Sequence, residues 1–273
     1  MTDHPQLQDL AGYDLGTHVV EYDDRTVILY ALAVGAPANE LELVFERDLR
    51  AIPTLACALG LWAVEAAGAI GAYDPRRSLH ARQLLTMRGT LPTRGPLEMN
   101  GRVTNVFDKG KAALIEVEAS ADCFTATYGI FLPGMGGWGG ERGPSAGSTE
   151  GITSAQTDAA HTSSDLAALY RLTGDRHPLH IDPDVATANG FDRPILHGLC
   201  TMGIAARIGA QAAGCSPADL RSLDVRLSAP VFPGDTVEVD TVVEAENVDF
   251  QARVGDVVVL AGGRATFGGP MRS

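Results

Sequence analysis

Gly174-Asp-Arg-His-Pro-Leu-His180, followed by Pro194-Ile-Leu-His-Gly198 and an Ala-, Gly- and Ile-rich run to Gly214, carries most of this chain's plan. A carboxylate, Asp175, and an imidazole, His180, stand five residues apart on a segment held by Gly174 and Pro178. About eighteen residues past His180, the His197-Gly198 pair opens a helix predicted over Leu196–Gly214. An acid/base pair beside backbone N–H groups at a helix start is what proton transfer next to a carbonyl requires. That helix is apolar on most faces and must be buried. Upstream, Thr162–Thr173 reads as a short helix. Downstream, Leu223–Leu227, Thr236–Glu246, Phe250–Val254 and Val257–Phe267 read as strands, with Pro230 and a Pro233-Gly234-Asp235 turn between the first two. A curved antiparallel sheet wrapped around the helix buries it.

The N-terminal half repeats this punctuation. After a strand or turn region come a helix at Ile28–Gly35 and, behind Pro53, a long Ala/Leu/Gly helix at Thr54–Tyr73. Strands are predicted at Gln83–Leu91, Leu97–Asp108, Lys111–Asp122 and Cys123–Phe131. Between the halves the composition shifts to Gly, Pro, Ser and Thr, which supports neither a helix nor a central strand. The expected division is therefore 1–132, a linker at 133–153, and 154–273. The fold class is α+β, two antiparallel sheets each wrapped around a long helix: a double hot dog. Gly134, Gly136 and Gly139 do not make a dinucleotide-binding loop, because Pro144 and further glycines occupy the place of the required helix.

Composition is that of an ordinary globular protein, with 45% apolar and 20% charged residues in 273. A net charge of −13 argues against general nucleic-acid binding and requires a local basic patch for any polyanionic ligand. No apolar run reaches the roughly 18 residues of a membrane span. The N-terminus lacks the regions of a signal peptide, and Met-Arg-Ser at the C-terminus is not a peroxisomal address. Cys57, Cys123, Cys200 and Cys215 form no CxxC and read as free thiols of a cytoplasmic protein.

The Asp175–His180 segment resembles the signature of the MaoC-like, or type 2, enoyl-CoA hydratases, Gly-Asp-x-Asn-Pro-Leu-His, with His177 at the Asn position. Tyr30-Ala-Leu-Ala-Val-Gly-Ala36, Leu91-Pro92, Phe107-Asp-Lys-Gly-Lys111 and Phe131 through the Gly-Gly-Trp-Gly-Gly run resemble the two-repeat members, such as the hydratase part of the peroxisomal multifunctional enzyme. The resemblance implies that the C-terminal repeat is catalytic and that the N-terminal repeat accommodates a bulky acyl chain. The first half indeed has no Gly-Asp-x-x-Pro-x-His segment.

The activity implied is (3R)-specific hydration of trans-2-enoyl-CoA on medium-chain or bulky acyl groups, by a hydro-lyase working as a homodimer without metal or other cofactor. Asp175 and His180 are the candidate catalytic residues, with the acid and base roles left open between them. Gly198 is the oxyanion-hole donor. His177, His80 and Lys109 are candidate substrate contacts, and Arg226 a candidate for the coenzyme phosphates. A surface histidine and a solvated hairpin lysine are the plain readings of His80 and Lys109. His177 is bulkier than the Asn it replaces. Asp182 suits a helix cap. Asp175, His177, His180 and His197 would be the set for a metal, but Pro178 interrupts the helical spacing and no hydrolase signature surrounds them. His197 reads as structural or orienting. Rival readings are dehydration of a 3-hydroxyacyl group on a carrier protein, a thioesterase, which the Asp-x-His-Pro-x-His segment opposes, and a non-catalytic thioester-binding subunit.

Overall fold

The computed structural model describes residues 5–144, 152 and 156–268. Its elements, in chain order, are β1 (Asp14–Tyr22), α1 (Asp24–Ala33), α2 (Leu41–Val44), α3 (Leu55–Leu59), α4 (Trp62–Ala69), β2 (Leu79–Met87), β3 (Gly95–Asp108), β4 (Ala112–Ala121) and β5 (Phe124–Pro133). They continue with β6 (Gln156–His161), α5 (Leu166–Tyr170), α6 (Pro183–Ala188), α7 (Gly198–Ala212), β7 (Leu220–Leu227), β8 (Thr236–Glu244), β9 (Asn247–Val254) and β10 (Val257–Phe267). Strict alternation sets the inner face: Ala113, Ile115, Val117 and Ala119 of β4 are buried, as are Val237 and Val239 of β8.

The strands form one ten-stranded antiparallel sheet in the order β1-β3-β4-β5-β2-β7-β10-β9-β8-β6. Each half has the same internal order, and the halves join where β2 pairs β7, from Arg82↔Arg226 to Thr86↔Ser222. This is a double hot dog. The inner face of the second half wraps α7, whose residues from Leu199 to Ala210 are all buried. Burying Leu199, Met202, Ile204 and Ile208 contributes about 1.5–3 kcal/mol each. In the first half, α3 and α4 occupy the corresponding place, and α3 touches α7.

The helix predicted over Thr54–Tyr73 is two pieces. Around Gly60 the bonding tightens to i→i−3, with Leu61 N–H on the Ala58 carbonyl and Ala63 N–H on that of Gly60. The Cys57 carbonyl, left without its helical partner, accepts from the Tyr128 hydroxyl at 2.7 Å. A side chain at position 60 would meet that hydroxyl at 2.5 Å. The first helix begins earlier than expected, at Asp24, because the Asp23 carboxylate caps it through Thr26 N–H. β2 runs four residues ahead of its predicted span, and the 162–173 segment keeps only α5 and a following 3-10 turn.

Of the predicted linker, 145–151 and 153 lie outside the described residues. Earlier linker residues are tied to the end of β3: the buried Asp108 carboxylate accepts from Gly110, Gly137 and Gly139 N–H groups at 2.7–2.9 Å. These bonds hold its pKa down to about 2. The glycine N–H groups that would cradle a phosphate are thus taken by a carboxylate of the chain itself.

Candidate active site

Gly174 has a φ of +147°, and a Cβ there would stand 2.9 Å from the Ala58 carbonyl of α3. Only glycine brings the next residue, Asp175, so close to the other half. The Asp175 side chain divides its work. Oδ1 accepts from the His177 N–H at 3.1 Å, the local turn role. Oδ2 faces His180 Nε2 at 3.9 Å, with side-chain exposures of 17% and 11%, so the pair is largely sheltered from bulk water. His180 Nδ1 lies 2.9 Å from the Ile195 carbonyl. A carbonyl only accepts, so Nδ1 carries the hydrogen and the Nε2 lone pair of the neutral ring faces Asp175. Burial pushes the His180 pKa down, outweighing the opposing effects of Asp175 and the Ile195 bond.

The Pro194–Gly198 segment closes over this pair, anchored by Leu196 N–H on the Val231 carbonyl at 2.7 Å. His197, fully buried, donates from Nε2 to the Asp175 main-chain carbonyl at 3.1 Å. Its ring stacks on His180 with centroids 3.7 Å apart. Burial, helped by His180, pushes its pKa down to about 3. Gly198 follows as the first residue of α7, where N–H groups have no intrahelical partner and the helix end carries partial positive charge. A Cβ at Gly198 would overlap the Leu227 side chain of β7.

The other predicted contacts divide. His80, on β2, packs against Tyr128 with centroids 5.8 Å apart, and the Asp175 charge acts on both. It enters the site from the N-terminal half, and burial lowers its pKa to about 4. His177 is exposed. Its Nδ1 accepts from Leu179 N–H at 3.3 Å, capping the 3-10 turn at Pro178–His180. It also borders a cavity of about 360 Å³ with Arg76, Pro178 and Val185. Asp182 caps α6, as expected, through Asp184 and Val185 N–H. The Lys109 ammonium is engaged by the Arg142 and Pro144 carbonyls of the linker. Arg226 alternates with Val225 and Leu227, so it shares the Asp224 face of β7 and not the face that meets Gly198.

Ligand atoms of Asp175, His180 and His197 lie within 4.8 Å of one another, and His177 is outside that group. A metal lies in the plane of each imidazole that holds it. Two rings stacked at an interplanar angle of 28° share no such point close by. The cluster suits hydrogen bonding. Sequence reasoning missed the Ile195 carbonyl, because a main-chain acceptor leaves no residue signature. It also missed Tyr170, whose ring backs His197 at 4.8 Å.

Comparison with known proteins agrees with this geometry. The MaoC like domain family matches residues 146–263, and the MFE-2 hydratase 2 N-terminal domain matches residues 20–127. A probable enoyl-CoA hydratase 2 of Dictyostelium discoideum is 36% identical over 81% of this chain and 82% of its own length. The chain belongs to the MaoC-like, hydratase 2 family. Within the family it is also 35% identical to the peroxisomal multifunctional enzyme type 2 of Drosophila melanogaster, over 89% of this chain but only 45% of the fly protein, and so spans less than half of that relative. A MaoC-like dehydratase from Phytophthora capsici superposes with a TM-score of 0.85 at 28% identity, covering 96% of this chain and 97% of the other.

Proposed function

We propose that this MaoC-like protein hydrates trans-2-enoyl-CoA thioesters to (3R)-3-hydroxyacyl-CoA, reversibly. The observation that carries the reading is the Asp175–His180 pair at 3.9 Å, with His180 held in the Nδ1–H form by Ile195, beside the N-terminus of α7. A water between the two acceptors donates one hydrogen to His180 Nε2 and the other to Asp175 Oδ2. As its oxygen bonds C3, the C2–C3 π electrons move toward the thioester carbonyl, where the Gly198 N–H meets the developing charge. The pair takes one proton from water and returns one to C2, so its protonation is restored each turnover. Water and thioester balance the equation, so the reaction needs no oxidant or reductant.

Against the net charge of −13, a polyanionic substrate would draw on arginines near the cavity, where Arg76 is paired with Asp74 and Asp184 also lines the wall. Arg76 borders the cavity beside His177, and Arg77 and Arg176 are exposed nearby in the chain. On this reading the N-terminal half contributes His80 and accommodates a medium-chain or bulky acyl group. Hydration by family relatives named enoyl-CoA hydratase 2 supports the substrate class. A homodimer is part of the same proposal. The proposal also places the chain in the cytoplasm, in keeping with its free cysteines, although the related plant and animal proteins are named peroxisomal. No helix among the described residues is long and apolar enough to cross a membrane.

Loss of enoyl-thioester absorbance, followed without added cofactor and in the presence of a chelator, tests the reading. Absorbance is expected to fall with no release of free thiol, giving a product oxidised only by a (3R)-specific dehydrogenase. Thiol release would make the protein a thioesterase, and silence on both short and medium acyl-CoA would overturn hydration of CoA esters.

A further inference from the structure

One buried side chain, His197, contacts both members of the pair. His197 stands at the N-cap of α7, yet its side chain makes no capping bond, so capping does not account for it. Its Nε2–H holds the main-chain carbonyl of Asp175 at 3.1 Å, and its ring lies against that of His180 at 3.7 Å. The Tyr170 ring also packs against it, tilted by 45° with centroids 4.8 Å apart. His197 is therefore held by two ring contacts and one directed bond. Without it, the Asp175 carbonyl loses its donor and the His180 ring loses the surface that sets its plane.

We propose that His197 is a positioning residue of the hydration site, fixing the Asp175 main chain by its Nε2–H bond and the His180 ring by stacking. The inference rests on the hydration reading above. Its chemistry requires one tautomer, since a carbonyl acceptor needs the hydrogen on Nε2. It also requires an uncharged ring, since a cation stacked on His180 would oppose the proton that His180 takes from water. Burial, the largest effect, disfavours a cation at His197, as do His180 and Arg171, and together they outweigh Asp175, which favours one.

Two substitutions separate the two contacts. H197F keeps a ring against His180 but has no donor, whereas H197Q keeps an N–H where Nε2–H stands but has no ring. A misplacement of about 1 Å costs about a hundredfold in rate, so H197F is expected to lose roughly 30- to 100-fold in kcat with KM within about threefold. H197Q is expected to recover about a tenth of the wild-type rate, well above H197F. Thermal midpoints and folded fraction are measured alongside. Equal losses in both variants, losses that only track unfolded protein, or an H197F rate within about twofold of wild type on the same scale would overturn the proposal.

Imidazole nitrogen NMR on the wild-type protein gives a readout independent of turnover. His197 is expected to remain neutral and Nε2-protonated at pH 6, and an Nδ1-protonated or cationic ring would overturn the proposal. A wild-type protein that shows this spectrum but does not turn over enoyl-CoA would count against the hydration reading and leave the His197 geometry standing.

Discussion

Gly198 shows how little room the reacting centre leaves. Its missing side chain both avoids Leu227 and opens the helix N-terminus to a carbonyl oxygen. Gly198→Ala keeps the N–H, but its methyl would overlap Leu227 and displace the helix start, which is expected to lower kcat at least tenfold. Pressing a methyl on Leu227 is expected to cost about 1–3 kcal/mol in urea unfolding. Unchanged kinetics would show that the helix start tolerates the methyl and that the small size of Gly198 is not what the reaction requires. At this scale the motif was legible, because Asp175, His180 and Gly198 follow one another with informative spacing. His197 was placed but not assigned its contacts. Lys109 and Arg226 read as cations available to phosphate, since sequence cannot show that linker carbonyls occupy one and strand alternation turns the other to the outer face.

Among the elements, the break between α3 and α4 is the least foreseeable. Apolar periodicity runs straight through Gly60, and the partner that stabilises the break is Tyr128, 71 residues from the Cys57 carbonyl it serves. Tyr128→Phe leaves that buried carbonyl without a donor, which is expected to cost about 1–3 kcal/mol of stability. The urea midpoint should fall without a change in the denaturant slope; an unmoved midpoint would mean that the bond contributes nothing. By contrast, α7, β8 and β10 were legible to within about two residues at either end, and β9 apart from its start at Asn247–Asp249. Their helical and alternating patterns are long, and their ends carry His197-Gly198 and the Pro233-Gly234-Asp235 turn. β1 and β6, the two edges of the sheet, are mostly exposed and gave little hydrophobic signal.

Across the whole molecule, one continuous sheet presses the two halves into a shared site, and the cost of that burial is carried by histidines. His80 from one half and His197 from the other hold pKa values of about 4 and about 3, against an unfolded imidazole near 6.5. Between these values the unfolded chain binds more protons, so stability is fully present above about pH 7 and is lost as pH falls. Each histidine steepens the loss by up to about 1.4 kcal/mol per pH unit. Asp108, with its pKa near 2, acts only at lower pH. Urea unfolding is expected to show lower stability at pH 5 than at pH 7.5, with a shallower slope in His80→Gln; a flat profile would mean that these rings are not buried neutral. The central claim, that this sheltered pair adds water to an enoyl thioester, is tested most directly by kcat of Asp175→Asn. That substitution keeps the acceptor for the His177 N–H and the volume while removing the carboxylate. A fall on the order of 10²- to 10⁴-fold in a folded protein with little change in KM is the result expected, and an unchanged kcat would contradict the account.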